Sequence, residues 1–273
     1  ANGMPYVGSP ISVDTIAAYD IKVSDYDVST DTVGATVNAV TKSGTNEFHG
    51  SLYGLYRSND WTGKNDAGDK FEGFESEETY GATFGGPLIK DKLFFFFNYA
   101  NSTKDAPAPN QGPIGSSASN IVNITQAQID QVRNIALGYG FDPGTLAVDS
   151  LRTESEEYAI KLDWNINENH RASFRYSKSD QDQANTPGFQ GGAPTGGNGQ
   201  LSLSGYWYNR AFGFDSYVGQ LFSDWTDTFS TEFKVSYRDY SAGREPFSDR
   251  PAVAVRIGGS TLTTTTEVNT HYN

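Results

Sequence analysis

Apolar and polar residues alternate along much of this chain with a period of two, the spacing of a β-strand with unlike faces. His49 to Arg57 (HGSLYGLYR) opens the series, and Tyr80 to Gly86 and Leu93 to Ala100 continue it. Between Glu157 and Asn165, Tyr158, Ile160, Leu162 and Trp164 alternate with Glu157, Ala159, Lys161 and Asp163. From His170 to Ser177, Ala172, Phe174 and Tyr176 alternate with Arg171, Ser173, Arg175 and Ser177. A sixth strand is predicted within Phe212 to Trp225. In the seventh, Phe229, Thr231, Phe233, Val235 and Tyr237 share one face, and Ser230, Glu232, Lys234, Ser236 and Arg238 the other.

The connections between these strands alternate in length. Pro87 to Lys92, Ile166 to Asn169 and Thr226 to Thr228 are short, whereas Ser58 to Glu78, Asn101 to Arg152 and Lys178 to Asn209 are long and polar. Alternation alone describes a soluble sandwich equally well, with the apolar face as its core. Structureless connections longer than about 12–15 residues are uncommon in such a domain. Short turns on one side and long loops on the other are the construction of an outer-membrane barrel. Mixed-sign charges on one face (Lys161 with Asp163, Glu232 with Lys234) suit a hydrated lumen, and the aromatic face suits lipid. Trp164, Trp225 and Tyr237, near strand ends, suit the interfacial girdles.

One loop breaks the period of two. Thr125 and Gln128 have the spacing of a capping box, and Ile124 and Ile129 that of a hydrophobic staple. Ile129, Val132, Ile135 and Ala136 then recur at helical spacing, with Gly138 as the expected stop. The pattern predicts a helix over Thr125 to Leu137 that packs the loop together over the outer mouth.

Composition narrows the function classes. The 273 residues carry 20 Lys and Arg against 33 Asp and Glu, a net charge of −13, which argues against nucleic acid as a partner. The absence of cysteine removes disulfides and thiolate metal sites. No apolar run approaches the ~20 residues of a spanning helix, and the mean hydropathy is −0.54, which a barrel with one apolar face tolerates. Seventeen Phe, 16 Tyr and 4 Trp beside 29 Gly fit many strands and turns. The chain opens at Ala1-Asn2-Gly3 without a charged-then-apolar leader, which we read as truncation of a longer protein.

Catalytic chemistry finds little support. His49, His170 and His271 are scattered without metal-ligand spacing, and neither a Gly-x-Ser-x-Gly elbow nor a phosphate-binding loop occurs. No catalytic residue, metal site or cofactor is expected. Glu75, Glu77 and Glu78, and Asp180 with Asp182, read as solvated loop charges rather than a calcium site. Tyr206, Trp207 and Tyr208 beside a long loop suit either stacking against an extracellular ligand or the outer aromatic girdle.

The most specific signal precedes the first strand, in SVDTIAAYDIKVSDYDVSTDTVGATVNAVTKSGTNEFHG from Ser12 to Gly50. It resembles the end of the plug of TonB-dependent receptors. Ile16, Ile21 and Val23 are followed by Val33-Gly34-Ala35 and then by Val37-Asn38-Ala39-Val40-Thr41-Lys42. Ser43 to Gly50, Phe84 to Phe96 and Tyr26-Asp27-Val28 are similar to the Oar-like branch, whose members often carry a carboxypeptidase-regulatory-like domain ahead of the plug. The resemblance implies an all-β fold, a portion of a transmembrane antiparallel β-barrel preceded by the end of a plug domain. Residues 1–44 would end the plug, with Val37, Asn38, Val40, Thr41, Lys42, Ser43 and Gly44 at the plug–barrel junction. Residues 45–273 would be about seven wall strands with long extracellular loops near 58–78, 101–152, 178–209 and 241–273, of the about 22 strands such transporters use. Gly44 would supply a turn into the wall, and Gly86-Pro87 would end a strand. The implied function is import of a bulky, scarce extracellular ligand across the outer membrane. Its partners would be outer-membrane lipid and the TonB–ExbB–ExbD complex, the latter through a segment ahead of this chain. An outer-membrane adhesin or structural barrel, or a β-rich hydrolase with its catalytic groups elsewhere, are the competing functions.

Overall fold

The computed structural model describes residues 15–25, 34–64, 66, 68, 74–146, 150–248, 250 and 252–265. Tyr26-Asp27-Val28, Val33 and His271 lie outside these residues. A hairpin comes first, β1 (Ile16–Asp25) paired antiparallel with β2 (Gly34–Thr41). The wall strands follow as β3 (His49–Ser58), β4 (Ser76–Ile89) and β5 (Leu93–Pro107). After β6 (Gln111–Ile114), β7 (Asn120–Thr125) and helix α1 (Gln126–Gly138) come β8 (Ser150–Asn165) and β9 (His170–Asn185). The chain goes on through β10 (Gln190–Gly191), β11 (Gly199–Ser202), β12 (Tyr208–Thr226), β13 (Phe229–Pro246), β14 (Ala254–Ile257) and β15 (Ser260–Thr263).

Seven strands form one antiparallel sheet in the order β13-β12-β9-β8-β5-β4-β3. Neighbours in that sheet are antiparallel and follow one another along the chain, and the outer edges of β3 and β13 have no partner among the described residues, so no barrel closes here. Paired residues point to the same face, so the register reads each face directly. Phe84, Phe97, Ile160, Tyr176, Tyr217 and Tyr237 lie side by side across six strands, and Phe95, Leu162, Phe174 and Val235 share that face one step toward the short turns. This outer face is uncovered: Phe174 is 45% exposed and Phe233 63%.

Tyrosine rings touch along its upper rim, Tyr158 to Tyr176 at 5.9 Å, Tyr176 to Tyr217 at 4.7 Å and Tyr217 to Tyr237 at 6.2 Å. Near the short turns, Trp225 packs edge-on against His170 at 4.9 Å, and Trp164 is half exposed. Tyr217 and Trp225 are eight positions apart on β12. At about 3.3 Å per residue and a tilt near 40°, that separates the two aromatic levels by roughly 20 Å, close to the ~25 Å apolar band of an outer-membrane barrel.

The strands outrun the alternation that predicts them. β8 and β9 have 16 residues each, β12 has 19 and β13 has 18, against about 9–11 needed to cross the bilayer. The ladder therefore continues past the upper aromatic level. There Asp180, Asp182 and Glu154 replace the apolar side chains, and a hydropathy pattern stops where the lipid does. Much of what reads as polar loop is strand in water. Pro87 likewise lies inside β4, opposite Phe94, and the reversal comes at residues 90–92 with Asp91 at φ 65°. That stretch of β4 is past its last β3 partner, so proline sits on a free edge, where a missing N–H is tolerated.

The three long connections after β5, β9 and β13 fold into one unit above the wall. β10, β11, β15 and β14 make a second sheet in that order, with β11 parallel to β15. β6 and β7 pair in parallel, and Ile121 and Val122 bridge to Ala193 and Gly197. Val122, Ile124, Ile129, Leu201, Leu203 and Leu262 form the buried cluster of this cap, each 1% exposed or less. Each of the three loops contributes to it. The helix starts at the expected capping box, with the Thr125 hydroxyl and the Gln128 side chain each satisfying the other's backbone N–H. It ends at Gly138, the expected stop, with Tyr139 as its C-cap. Gly140 takes φ +83°, its N–H donates to Leu137 O and the Phe141 N–H donates to Ala136 O, the two bonds of a Schellman turn.

Candidate junction and lumen wall

The chain leaves β2 at Thr41 and crosses the inner face of the wall to enter β3 at His49. Hydrogen bonds fix that crossing at several points. The Lys42 N–H donates to Thr15 O at 2.8 Å, and Lys161 Nζ donates to Ser43 Oγ at 2.7 Å. Asn46 Nδ2 donates to Asp91 Oδ1 at 2.6 Å while its Oδ1 accepts from the Asp91 N–H at 2.8 Å. The Asp91 carbonyl also accepts from Asn165 Nδ2 at 3.2 Å. Asp91 thus ties the junction to the β4–β5 turn and to the end of β8. Its left-handed backbone is one that Asp tolerates and that these bonds hold.

Gly44 permits close contact here without a left-handed backbone. A Cβ at position 44 would stand 2.8 Å from Gly86 O and 3.0 Å from Phe94 Cβ, and nearer still to Phe95 O, so any side chain would push the junction off the wall. Phe48 lies flat against Phe84 with centroids 5.9 Å apart and rings within 7° of parallel, over the bare backbone of Gly86. Gly86 of β4 is the seat for that ring.

The expected junction residues are thereby placed on β2 and on the crossing that follows it. Val37 and Asn38 pair with Ile21 and Asp20 of β1, and Val40 with Ala18. Val40 and Thr41 also line a cavity of about 310 Å³ between the hairpin and the wall. Lys161, Ser173, Arg175, Val218, Gln220, Lys234 and Arg238 complete it. The charge is less mixed than the sequence suggests. Lys161 keeps its neighbour Asp163 at 3.4 Å, but the Glu232 carboxylate accepts from Gln220 at 3.3 Å, and no ion pair forms between Glu232 and Lys234. Sequence alternation puts these cations on one face; only the register gathers them.

Tyr206, Trp207 and Tyr208 lie where the cap meets β12. Trp207 is 4% exposed and Tyr208 7%. The Trp207 Nε1–H donates to Ser202 Oγ at 2.8 Å, whose own hydroxyl donates to Pro187 O at 2.6 Å. The Arg244 guanidinium covers the Tyr208 ring at 4.8 Å. Of the three, only Tyr206 is not buried. Among the charged loop residues, Arg57 pairs with Glu77, Lys178 lies 2.9 Å from Asp180, and among the described residues no three acidic or histidine side chains converge as metal ligands.

Comparison with known proteins bears on this geometry directly. A family described as an outer membrane beta barrel domain matches residues 40–114, from the end of β2 through β6. The TonB-dependent transporter Oar of Myxococcus xanthus is 29% identical over 210 residues, 72% of this chain. Both matches fit an Oar-like TonB-dependent outer-membrane receptor, the family this chain resembles. The chain spans 18% of the length of that relative, and no solved structure matches it. Both matches indicate the bacterial outer membrane as its location, and the uncovered apolar face of the seven strands is the one suited to lipid.

Proposed function

We propose that this chain is the plug–barrel junction and adjoining wall of an energy-coupled importer. Residues 1–44 end the plug and 45–273 form wall and extracellular loops. The observation that carries this is the clamped crossing. A hairpin held inside the wall by Ser43, Gly44 and Asn46, rather than continued into it, is what a plugged lumen requires. Tyr19 and Ile21 of β1, 53% and 64% exposed, give the hairpin an apolar surface suited to packing against more plug. The imported solute is bulky and scarce, a peptide, glycan or metal chelate. The cap of folded loops stands over the entrance, with Tyr206 as its aromatic contact. Coupling to the TonB–ExbB–ExbD complex remodels the plug, and no covalent step is performed on the solute.

A deletion strain and its parent decide this against an adhesin. Both would be offered labelled oligopeptides, oligosaccharides and ferric chelates too large for porins, with and without a protonophore. Uptake of one class should require both the gene and the proton gradient. Loss of cell attachment with every uptake unchanged would transfer the proposal to the adhesin.

A further inference from the structure

The cavity under Val40 and Thr41 concentrates positive charge in a chain whose net charge is −13. Lys161 and Arg175 are direct cross-strand partners, and Lys234 and Arg238 reach the same space from β13. Lys161 is the cation in this group with a carboxylate beside it. Arg175, Lys234 and Arg238 make no ion pair among the described residues, and the enclosed Nε of Arg175 has no hydrogen-bond acceptor. On the same face, Ser177 is 3% exposed and its hydroxyl is also unpartnered. Ser173 and Gln220 add uncharged donors to the lining. The cluster lies at the depth of the apolar band, since Phe174 and Tyr176, which flank Arg175, face lipid. Ionisable groups at that depth are costly and mark pathways or partners. Arg175, Lys234 and Arg238, gathered with no paired carboxylate among the described residues, raise that cost further.

We propose that this cavity is an oxyanion site on the lumen wall, taking a carboxylate or phosphate group. The proposal rests on the inner face being the lumen. Two guanidinium groups, two ammonium groups and neutral donors around about 310 Å³ match a compact multivalent anion by size and by hydrogen-bond type. The anion is either borne by the solute in transit or is a side chain of the receptor itself.

The test uses the full-length receptor purified in detergent, with inorganic pyrophosphate and phosphate as calorimetric probes. The variants are the pair Arg175→Gln with Arg238→Gln, and the charge-keeping pair Arg175→Lys with Arg238→Lys. If the site is free for a solute, the wild type binds pyrophosphate, the Gln pair binds at least about tenfold more weakly and the Lys pair retains most of the affinity. If a receptor carboxylate fills it, the wild type does not bind, the Gln pair melts lower and the Lys pair does not. Binding insensitive to the Gln pair overturns the site. So does an absence of binding with a Gln pair as stable as the wild type or more so. The lumen assignment is checked separately on neighbouring positions. Arg175→Cys should react with a water-soluble maleimide and Phe174→Cys should not; the reverse would remove the lumen and leave the binding result to stand alone.

Discussion

Phe174 and Phe233 in the wall leave 45% and 63% of their surface uncovered, while Leu201, Leu203 and Leu262 in the cap leave none. Both regions use alternating strands, yet they turn their apolar side chains in opposite directions. The wall is a single sheet whose apolar face suits lipid and whose polar face meets the β1–β2 hairpin. The cap stands in water and must build its own core, so three loops far apart in sequence pool their few aliphatic residues. Its polarity on average conceals this. The lesson is that loop composition, dense in Gly, Asn and Gln, does not measure loop order; six buried aliphatic side chains, with Val132, Leu146, Phe189 and Ile257 packed against them, give the unit its core.

The largest effect should follow from opening that small core. Leu203→Ala should cost about 2–5 kcal/mol of cap stability. Limited proteolysis on intact cells should then cut all three loops together, while the wall keeps its heat-modifiable mobility. Cleavage confined to the loop carrying residue 203 would show that the loops fold separately. Next in size is Phe174→Lys, a charge placed in the apolar band, at about 2–4 kcal/mol near the bilayer midplane. It should lower the amount of assembled receptor and leave the protease resistance of the assembled cap unchanged.

A smaller effect is expected at the seam between the hairpin and the wall. Gly44→Ala adds one methyl against the backbone of β4 and β5, an overpacking worth about 1–3 kcal/mol. Cross-linking between residues 43 and 161 should fall while both cap and wall stay intact. Unchanged cross-linking would mean that the crossing has room the structure does not show.

The smallest concerns Asp182, above the lipid on β9. Burial, reinforced by Glu245, Asp180 and Glu154, raises its carboxyl above the ordinary range. The neutral form is therefore favoured by folding. Its stabilisation is complete below the unfolded pKa and is lost as pH rises through the raised folded value, an effect reduced by solvent screening. Asp182→Asn should slightly stabilise the extension at neutral pH and flatten this part of the acid profile. A larger acid dependence in the variant would assign the effect to another group.

Alternation was enough to find all seven wall strands and to separate the apolar from the polar face in β8, β9 and β13, because one side of each strand is apolar along its spanning part. Helix α1 was equally plain at its start, where the Thr125–Gln128 box is local chemistry. The sequence could not mark the strand ends, since above the lipid both faces are wet and the alternation fades. Nor could it expose the Asn46–Asp91 clamp, whose partners are 45 positions apart, or the true task of Gly44, which depends on carbonyls from two other strands. The fate of Trp207 likewise waited on the tertiary placing of Ser202, which accepts its indole N–H, and of the Phe189 ring 6.1 Å away.

What the sequence determined by itself is therefore periodicity and local capping, properties that each segment carries alone. Register, and with it the gathering of Lys161, Arg175, Lys234 and Arg238 around one cavity, belongs to the tertiary structure. So does the cap core. Both arise from contacts between segments whose separation along the chain leaves no local trace.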